Sequence, residues 1–193
     1  MIAGLILAAG AGTRFGTRPK QLAELDGRPL LEHAIAAQCA VAELERIVVV
    51  LGARADEIRA GVGWQRAEAI VCEDWESGQA ASLRCGVAAL AGGHPSAERV
   101  IVTLGDAPRV SPEVIARFLD APAGARAVYQ GRPGHPVVLG PEQLKALGQL
   151  SGDHGARNLL EGPKIECGSL CSGRDVDTPD DLEAIRHEAR AVI

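Results

Sequence analysis

The residues that could do chemistry gather in a glycine loop with cations at both ends and in two acidic turns. Leu7-Ala8-Ala9-Gly10-Ala11-Gly12-Thr13-Arg14-Phe15-Gly16 passes from an apolar stretch into three glycines, and Thr17-Arg18-Pro19-Lys20-Gln21 follows at once. Loops of this kind hold phosphate, because glycines let the backbone approach and cations meet the oxygens. A dinucleotide-binding turn needs Gly-x-Gly-x-x-Gly; Gly10-x-Gly12-x-x-x-Gly16 is one residue too long. That turn also needs an acid near the end of the next strand to hold a ribose, where this chain has Leu51-Gly52-Ala53. A P-loop needs Lys-Ser or Lys-Thr directly after its last glycine, whereas Lys20 comes later and precedes Gln21. What remains is a loop that wraps a nucleoside triphosphate. The tight Leu7-Ala8-Ala9-Gly10 turn would approach base and ribose, and Gly12 and Gly16 would let the chain follow the phosphates. Arg14 and Lys20 would place charge on the oxygens, with Arg18 a lesser candidate. A bare glycine turn with solvated cations is the plain alternative; basic residues at both ends of a loop leaving a first strand favour function.

Transfer from a triphosphate calls for a divalent metal, because a highly charged pyrophosphate must depart. Magnesium takes one or two carboxylates and completes its shell with water and phosphate. Leu104-Gly105-Asp106-Ala107-Pro108 places an acid just after a strongly apolar run. The second acid lies in Arg174-Asp175-Val176-Asp177-Thr178-Pro179-Asp180-Asp181, where Asp177 stands ahead of a helix start. Asp180 and Asp181 read as first-turn acids favoured by the helix dipole. Asp175 either points away from Asp177 or shares its side. Asp106 and Asp177 are therefore the expected metal ligands.

These residues need a frame. The chain has 193 residues, 47% hydrophobic but only 3% aromatic, so its core must be built from Ala, Val, Leu and Ile. That length suits one domain, with a nucleotide-binding part over about 1–110 and an acceptor-side part over about 111–193. Apolar runs at Gly4–Ala8, Arg46–Leu51, Ala69–Cys72, Arg99–Leu104 and Ala125–Tyr129 read as strands. Helical patterns fall at 29–38, 78–90 and 112–119, and a last helix is expected with Thr178 as N-cap and Pro179 at its first position. Gly134–Leu139 reads as a further strand that Pro136 pushes towards an edge. The alternation predicts an α/β fold: one doubly wound, mostly parallel sheet with helices on both faces, binding ligand beyond the carboxyl ends of its strands. A net charge of −5 argues against a general nucleic-acid binder. The apolar N-terminus is too short to span a bilayer and lacks a basic flank, so no membrane partner is expected. Five cysteines without a Cys-x-x-Cys pair point to a reducing cytoplasm.

The run Leu7–Gly16 with Pro19-Lys20 resembles the signature of nucleotidyltransferases with a molybdopterin-guanylyltransferase-like fold. Sugar-phosphate and methylerythritol-phosphate nucleotidyltransferases share that loop, and Pro19-Lys20-Gln21 leans towards the latter. Three further segments narrow the resemblance: Trp75-Glu-Ser-Gly78-Gln-Ala-Ala-Ser82-Leu-Arg84, Gly131-Arg132-Pro-Gly134-His135-Pro136, and Gly152-Asp-His-Gly-Ala-Arg157. Together with the acid turns they are similar to motifs of the molybdenum-cofactor cytidylyltransferases over essentially the whole chain. The resemblance implies a nucleotide-diphospho-sugar-transferase-like, Rossmann-type fold and transfer of CMP from CTP to the phosphate of molybdopterin. It implies Mg2+ on Asp106 and Asp177, catalytic roles for Arg14, Lys20 and Asp106, and nucleotide contacts from Leu7, Ala8, Ala9, Gly10, Gly12, Lys20 and Ser82. Arg132, His135 and Arg157 would face the acceptor, and a molybdoenzyme would receive the product. Ala107 stands where relatives often carry Gln, which leaves the acceptor open. Another nucleotide such as GTP, another small phosphate, or a non-catalytic molybdopterin chaperone remain alternatives.

Overall fold

Ile2–Ala8 forms strand β1, which is buried almost throughout and pairs in parallel with a neighbour on each side. Those neighbours are β4 (Arg46–Leu51) and β6 (Arg99–Leu104), both apolar runs that can survive burial on two faces. The computed structural model describes residues 1–92, 96–147 and 161–190, with the side chains of 189 and 190 excepted. Its main sheet has seven strands in the order β5-β4-β1-β6-β8-β7-β9. Here β5 is Glu68–Val71, β7 Arg126–Tyr129, β8 Arg132–Leu139 and β9 Lys164–Glu166. Two short strands, β2 (Glu24–Leu25) and β3 (Arg28–Pro29), make a separate hairpin. All pairings in the main sheet are parallel except those of β8, which runs against both β6 and β7. The fold is the expected mostly parallel, doubly wound α/β sheet.

Alternation along β1 decides what each face buries. Ile6 and Ala8 look towards α1 (Leu30–Cys39), α2 (Ala55–Gly61) and α4 (Pro112–Ala116), through Leu31, Ile35, Ile58, Val114 and Ile115. Leu5 and Leu7 look the other way, towards Leu83 and Leu90 of α3 (Gln79–Ala91), with Leu147 of α5 (Pro141–Leu147) completing that side. The period of 2 in the strand thus feeds two separate cores. A third, small cluster of Leu25, Leu30, Val176, Leu182 and Ile185 docks α6 (Pro179–Arg190) onto the β2–β3 hairpin. All five cysteines are free thiols.

One expectation is corrected. The strand carrying Pro136 is not at an edge: β8 lies between β6 and β7. The register explains why. Arg126 faces Val137 while Val128 faces Pro133, so Gly134, His135 and Pro136 lie in an irregular stretch of the ladder. A bulge is the other place where a residue without an N–H is tolerated. Short elements without periodicity (α2, α5, β9 and the hairpin) are not foreshadowed by the sequence pattern.

Candidate active site

The carboxyl ends of β1 and β6 come close together, and the chain there has no room for ordinary side chains. The Gly105 amide donates to the Leu7 carbonyl at 2.9 Å. A Cβ on Gly105 would sit 2.8 Å from Ala8 Cβ and 2.9 Å from a Leu31 methyl. Glycine therefore lets the chain leave β6 at this spot, and Asp106 follows directly. The Asp175–Asp177 segment is drawn to the same place by a backbone bond from the Val176 amide to the Asp106 carbonyl at 2.8 Å. Asp177 is set by the start of α6. Thr178 Oγ1 accepts from the Asp181 amide at 3.2 Å, while Asp181 Oδ2 accepts from the Thr178 amide at 2.8 Å. The Thr178 cap is the one the sequence predicts; the return acceptance by Asp181, expected there only as a first-turn acid, makes it a reciprocal cap.

Lys20 is where the two acids meet. Its Nζ contacts Asp106 Oδ2 and lies 3.0 Å from Asp177 Oδ1. Arg14 reaches the other oxygen of Asp177 at 2.8 Å. Burial opposes the charge on Lys20, but the Asp106 carboxylate, helped by Asp177, outweighs it and raises the ammonium's pKa. Burial would raise the Asp177 carboxyl, yet Lys20 and Arg14 hold it below its ordinary value. Asp106 Oδ1 is buried and accepts no hydrogen bond from any described residue. A buried carboxylate oxygen left over in this way suits a cation. Among the described residues no group of three or more His, Cys, Asp and Glu is placed to hold a metal; two carboxylates with water and phosphate are the donor set magnesium accepts.

Three hollows surround this point. A cavity of about 300 Å³ is lined by Leu7, Ala8, Ala9, Gly10, Lys20, Gln21, Trp75, Gln79, Ser82 and Asp106. Every sequence-predicted nucleotide contact except Gly12 is in its wall. Gly12 instead joins Thr13, Arg14, Lys20 and Asp177 around a smaller hollow of about 220 Å³. Gly12 takes a positive φ of 61° and lies against the Lys20 stem, so it shapes the loop. A second cavity of about 300 Å³ shares Leu7, Gln79 and Leu104 with the first and adds Arg126, His135, Val137 and Asp175. Burial, with Arg126 beside it, pushes His135 down to about 4, so the imidazole is neutral near pH 7. Burial, reinforced by Asp106 and Asp177, pushes the Asp175 carboxyl up to about 7.

Of the residues expected at the acceptor, His135 lines this second cavity, whereas Arg132 is exposed at the start of β8 and lines neither cavity. Arg157 lies outside the described residues. Asp175, whose side was open, faces the second cavity. Gln21, Trp75 and Gln79 were not singled out as site residues, although each sits inside a quoted motif. Their signal was adjacency to Lys20 and to the Gly78 turn.

A family model described as the MobA-like NTP transferase domain matches residues 4–168. The chain belongs to that family. Its MobA-like fold is shared with solved structures at high coverage. A Mycobacterium tuberculosis H37Rv protein, Rv0371c, is 30% identical with a TM-score of 0.81, over 96% of this chain and 97% of that one. The same protein described in complex with manganese superimposes with a TM-score of 0.77. A nucleotidyl transferase from Methanothermobacter thermautotroptrophicus, 23% identical with a TM-score of 0.78 over 100% of this chain and 98% of its own, shares the fold. Among curated relatives, nicotine blue oxidoreductase of Paenarthrobacter nicotinovorans is 34% identical across 94% of both chains. A 2-C-methyl-D-erythritol 4-phosphate cytidylyltransferase of Cereibacter sphaeroides is 40% identical over 65% of this chain, a match spanning 57% of that enzyme. The MobA-like chain is thus an enzyme of nucleotidyltransferase type. No helix among the described residues is long and apolar enough to cross a membrane.

Proposed function

We propose that this enzyme transfers CMP from CTP to the phosphate of molybdopterin, releasing pyrophosphate. One observation carries the reaction type: Lys20, Asp106 and Asp177 converge at the mouth of a glycine-walled cavity, with Arg14 beside them and one Asp106 oxygen unspent. Asp106 and Asp177 would hold Mg2+, which when bound neutralises triphosphate charge and favours departure of pyrophosphate. The description of Rv0371c in complex with manganese supports divalent-ion binding by a protein of this fold. Leu7, Ala8, Ala9, Gly10 and Ser82 surround base and ribose. Lys20 and Arg14 meet the negative charge that builds on the departing phosphates. An acceptor phosphate oxygen bonds to the α-phosphorus as the bond to the β-phosphate oxygen breaks. That oxygen is already ionised, so no general base is needed, and positioning with charge neutralisation carries the rate. The second cavity, apolar below and edged by neutral His135, suits the pterin, with Arg132 and Arg157 reserved for its outer phosphate. A single domain in the cytoplasm, handing its product to a molybdoenzyme, completes the reading.

A second reading rests on one finding. A full-length relative is named an oxidoreductase, and the second cavity would accept a flat aromatic substrate. Against it stands the glycine spacing, which departs from the dinucleotide fingerprint.

The test is pyrophosphate release by purified protein with magnesium and molybdopterin. CTP, GTP and ATP are run in parallel, methylerythritol phosphate and sugar 1-phosphates replace the acceptor, and Asp106→Ala serves as control. Release with CTP and molybdopterin alone, lost in the variant, is the expected result. Release with GTP or another acceptor corrects the substrate. No release while molybdopterin binds points to a chaperone, and NADH or NADPH oxidation without release supports the redox reading.

A further inference from the structure

On the proposed reading the opening loop must hold a base-binding turn and a phosphate-binding turn in one register, and one buried side chain joins them. Gln21 is 2% exposed, in the single helical turn Lys20–Leu22. Its Nε2 donates to the Ala8 carbonyl at 2.9 Å and to the Gly10 carbonyl at 3.1 Å. Both protons of one amide are thus spent on the two sides of the Ala8–Gly10 turn. Its neighbour Lys20 faces Asp106 and Asp177. The chain from Gly10 to Arg18 is largely exposed. Its other described ties include the Phe15 amide to Gly12 at 2.9 Å, Arg14 on Asp177 at 2.8 Å and Arg54 on the Thr17 carbonyl, and the Ala53 amide holds Ala9 just before it at 3.1 Å.

We propose that Gln21 is a positioning residue that locks the nucleotide turn to the phosphate cation. Because Lys20 and Gln21 are consecutive on one rigid turn, the spacing between the base-facing peptides and the Lys20 ammonium is set by a single element. Fixing the Ala8 and Gly10 carbonyls on the Gln21 side orients both peptide planes, and with them the backbone groups left facing the cavity. Gln21 thereby governs which nucleotide base the turn accepts, without being asked to touch the reacting atoms. This rests on the nucleotide-transfer reading for its consequence, while the clamp itself is testable without ligand.

Gln21→Glu keeps the shape and replaces the donor with an oxygen facing two carbonyls. Gln21→Met keeps the length, removes the polarity and serves as the folding control. Hydrogen exchange on the ligand-free proteins reads the clamp: amides at 9–16 should exchange about tenfold faster or more in both variants, with β1, β4 and β6 unchanged. Calorimetric binding of CTP, GTP and ATP with magnesium reads the consequence. Kd for the preferred nucleotide should rise about tenfold, and the preference among the three should narrow. In turnover the loss should fall on nucleotide KM more than on kcat. A merely structural glutamine would lower the melting temperature and leave the preference intact. Unchanged exchange at 9–16, or an unchanged ratio of the three Kd values, overturns the proposal. Faster exchange in the variants, with no nucleotide bound by the native protein, overturns the functional reading and the positioning role together.

Discussion

The two sides of the cleft are made by opposite means. Where the parallel strands β1 and β6 end, the following loops carry charge: Lys20, Arg14 and Asp106, joined by Asp177 from the start of α6, lie in one connected network. On the β8–β7 side one reversed strand delivers an apolar floor. Two titratable groups there are pushed towards neutrality beside the Arg126 guanidinium, His135 down to about 4 and Asp175 up to about 7. Charge survives on the first side because each burial cost is met by an opposite charge within hydrogen-bond reach. At His135 and Asp175 it is suppressed because desolvation is the largest influence, with Arg126 adding to it at the first and Asp106 and Asp177 at the second, where Lys20 opposes them.

The sharpest way to break this contrast is to remove charge from the first side. Asp106→Asn should lower pyrophosphate release by about a thousandfold, with a melting temperature close to native. A loss below about tenfold would show that the network is structural. Proton uptake probes the second side. The unfolded chain protonates His135 below about 6.5, whereas the folded protein resists until about 4. In that window the folded state binds fewer protons, so stability rises with pH and falls as the solution is acidified from about 6.5 towards about 4. Denaturant titrations of native protein and His135→Gln across this range should diverge by on the order of 2 kcal/mol at the acid end. Parallel curves would mean that the imidazole is not held neutral by its surroundings.

Two smaller tests separate support from chemistry within the charged side. Thr178→Ala removes the cap that seats Asp177, and should cost about 1 kcal/mol in chemical denaturation. The same variant should need more magnesium for half-maximal rate. Arg14 is the outlying member, with its side chain 70% exposed against 10% for Lys20. Arg14→Ala should leave stability within about 0.5 kcal/mol. Its effect on kcat/KM should be about tenfold at low salt and should shrink as ionic strength rises. A salt-independent loss would place Arg14 closer to the chemistry than Asp177's flank.

Local chemistry was legible in advance. The central strands announce themselves as unbroken apolar runs, because a strand covered on two faces tolerates little else. The glycine loop, the acid after β6 and the cap at Thr178 follow from rules that act within a few residues. Gly105-Asp106 and Asp177-Thr178-Pro179 could each be recognised by the turn they had to make. What the sequence could not say was which distant groups share a point. Asp106 and Asp177 lie 86 and 157 positions from Lys20 along the chain, and only the sheet order with the Val176–Asp106 backbone bond closes that distance. The inward place of β8 was hidden because Pro136 is compatible with an edge or a bulge, and the choice is made by the partner strand. Gln21 and Asp175 were hidden for a related reason: a side chain's role depends on what faces it. The sequence by itself determined the fold class, the glycine loop after the first strand and the two acid turns, all consequences of short-range sterics and burial. Tertiary structure decided the charge state of each acid and base, the reversed strand and the clamp on the nucleotide turn, because electrostatics and hydrogen-bond satisfaction act through space and not along the chain.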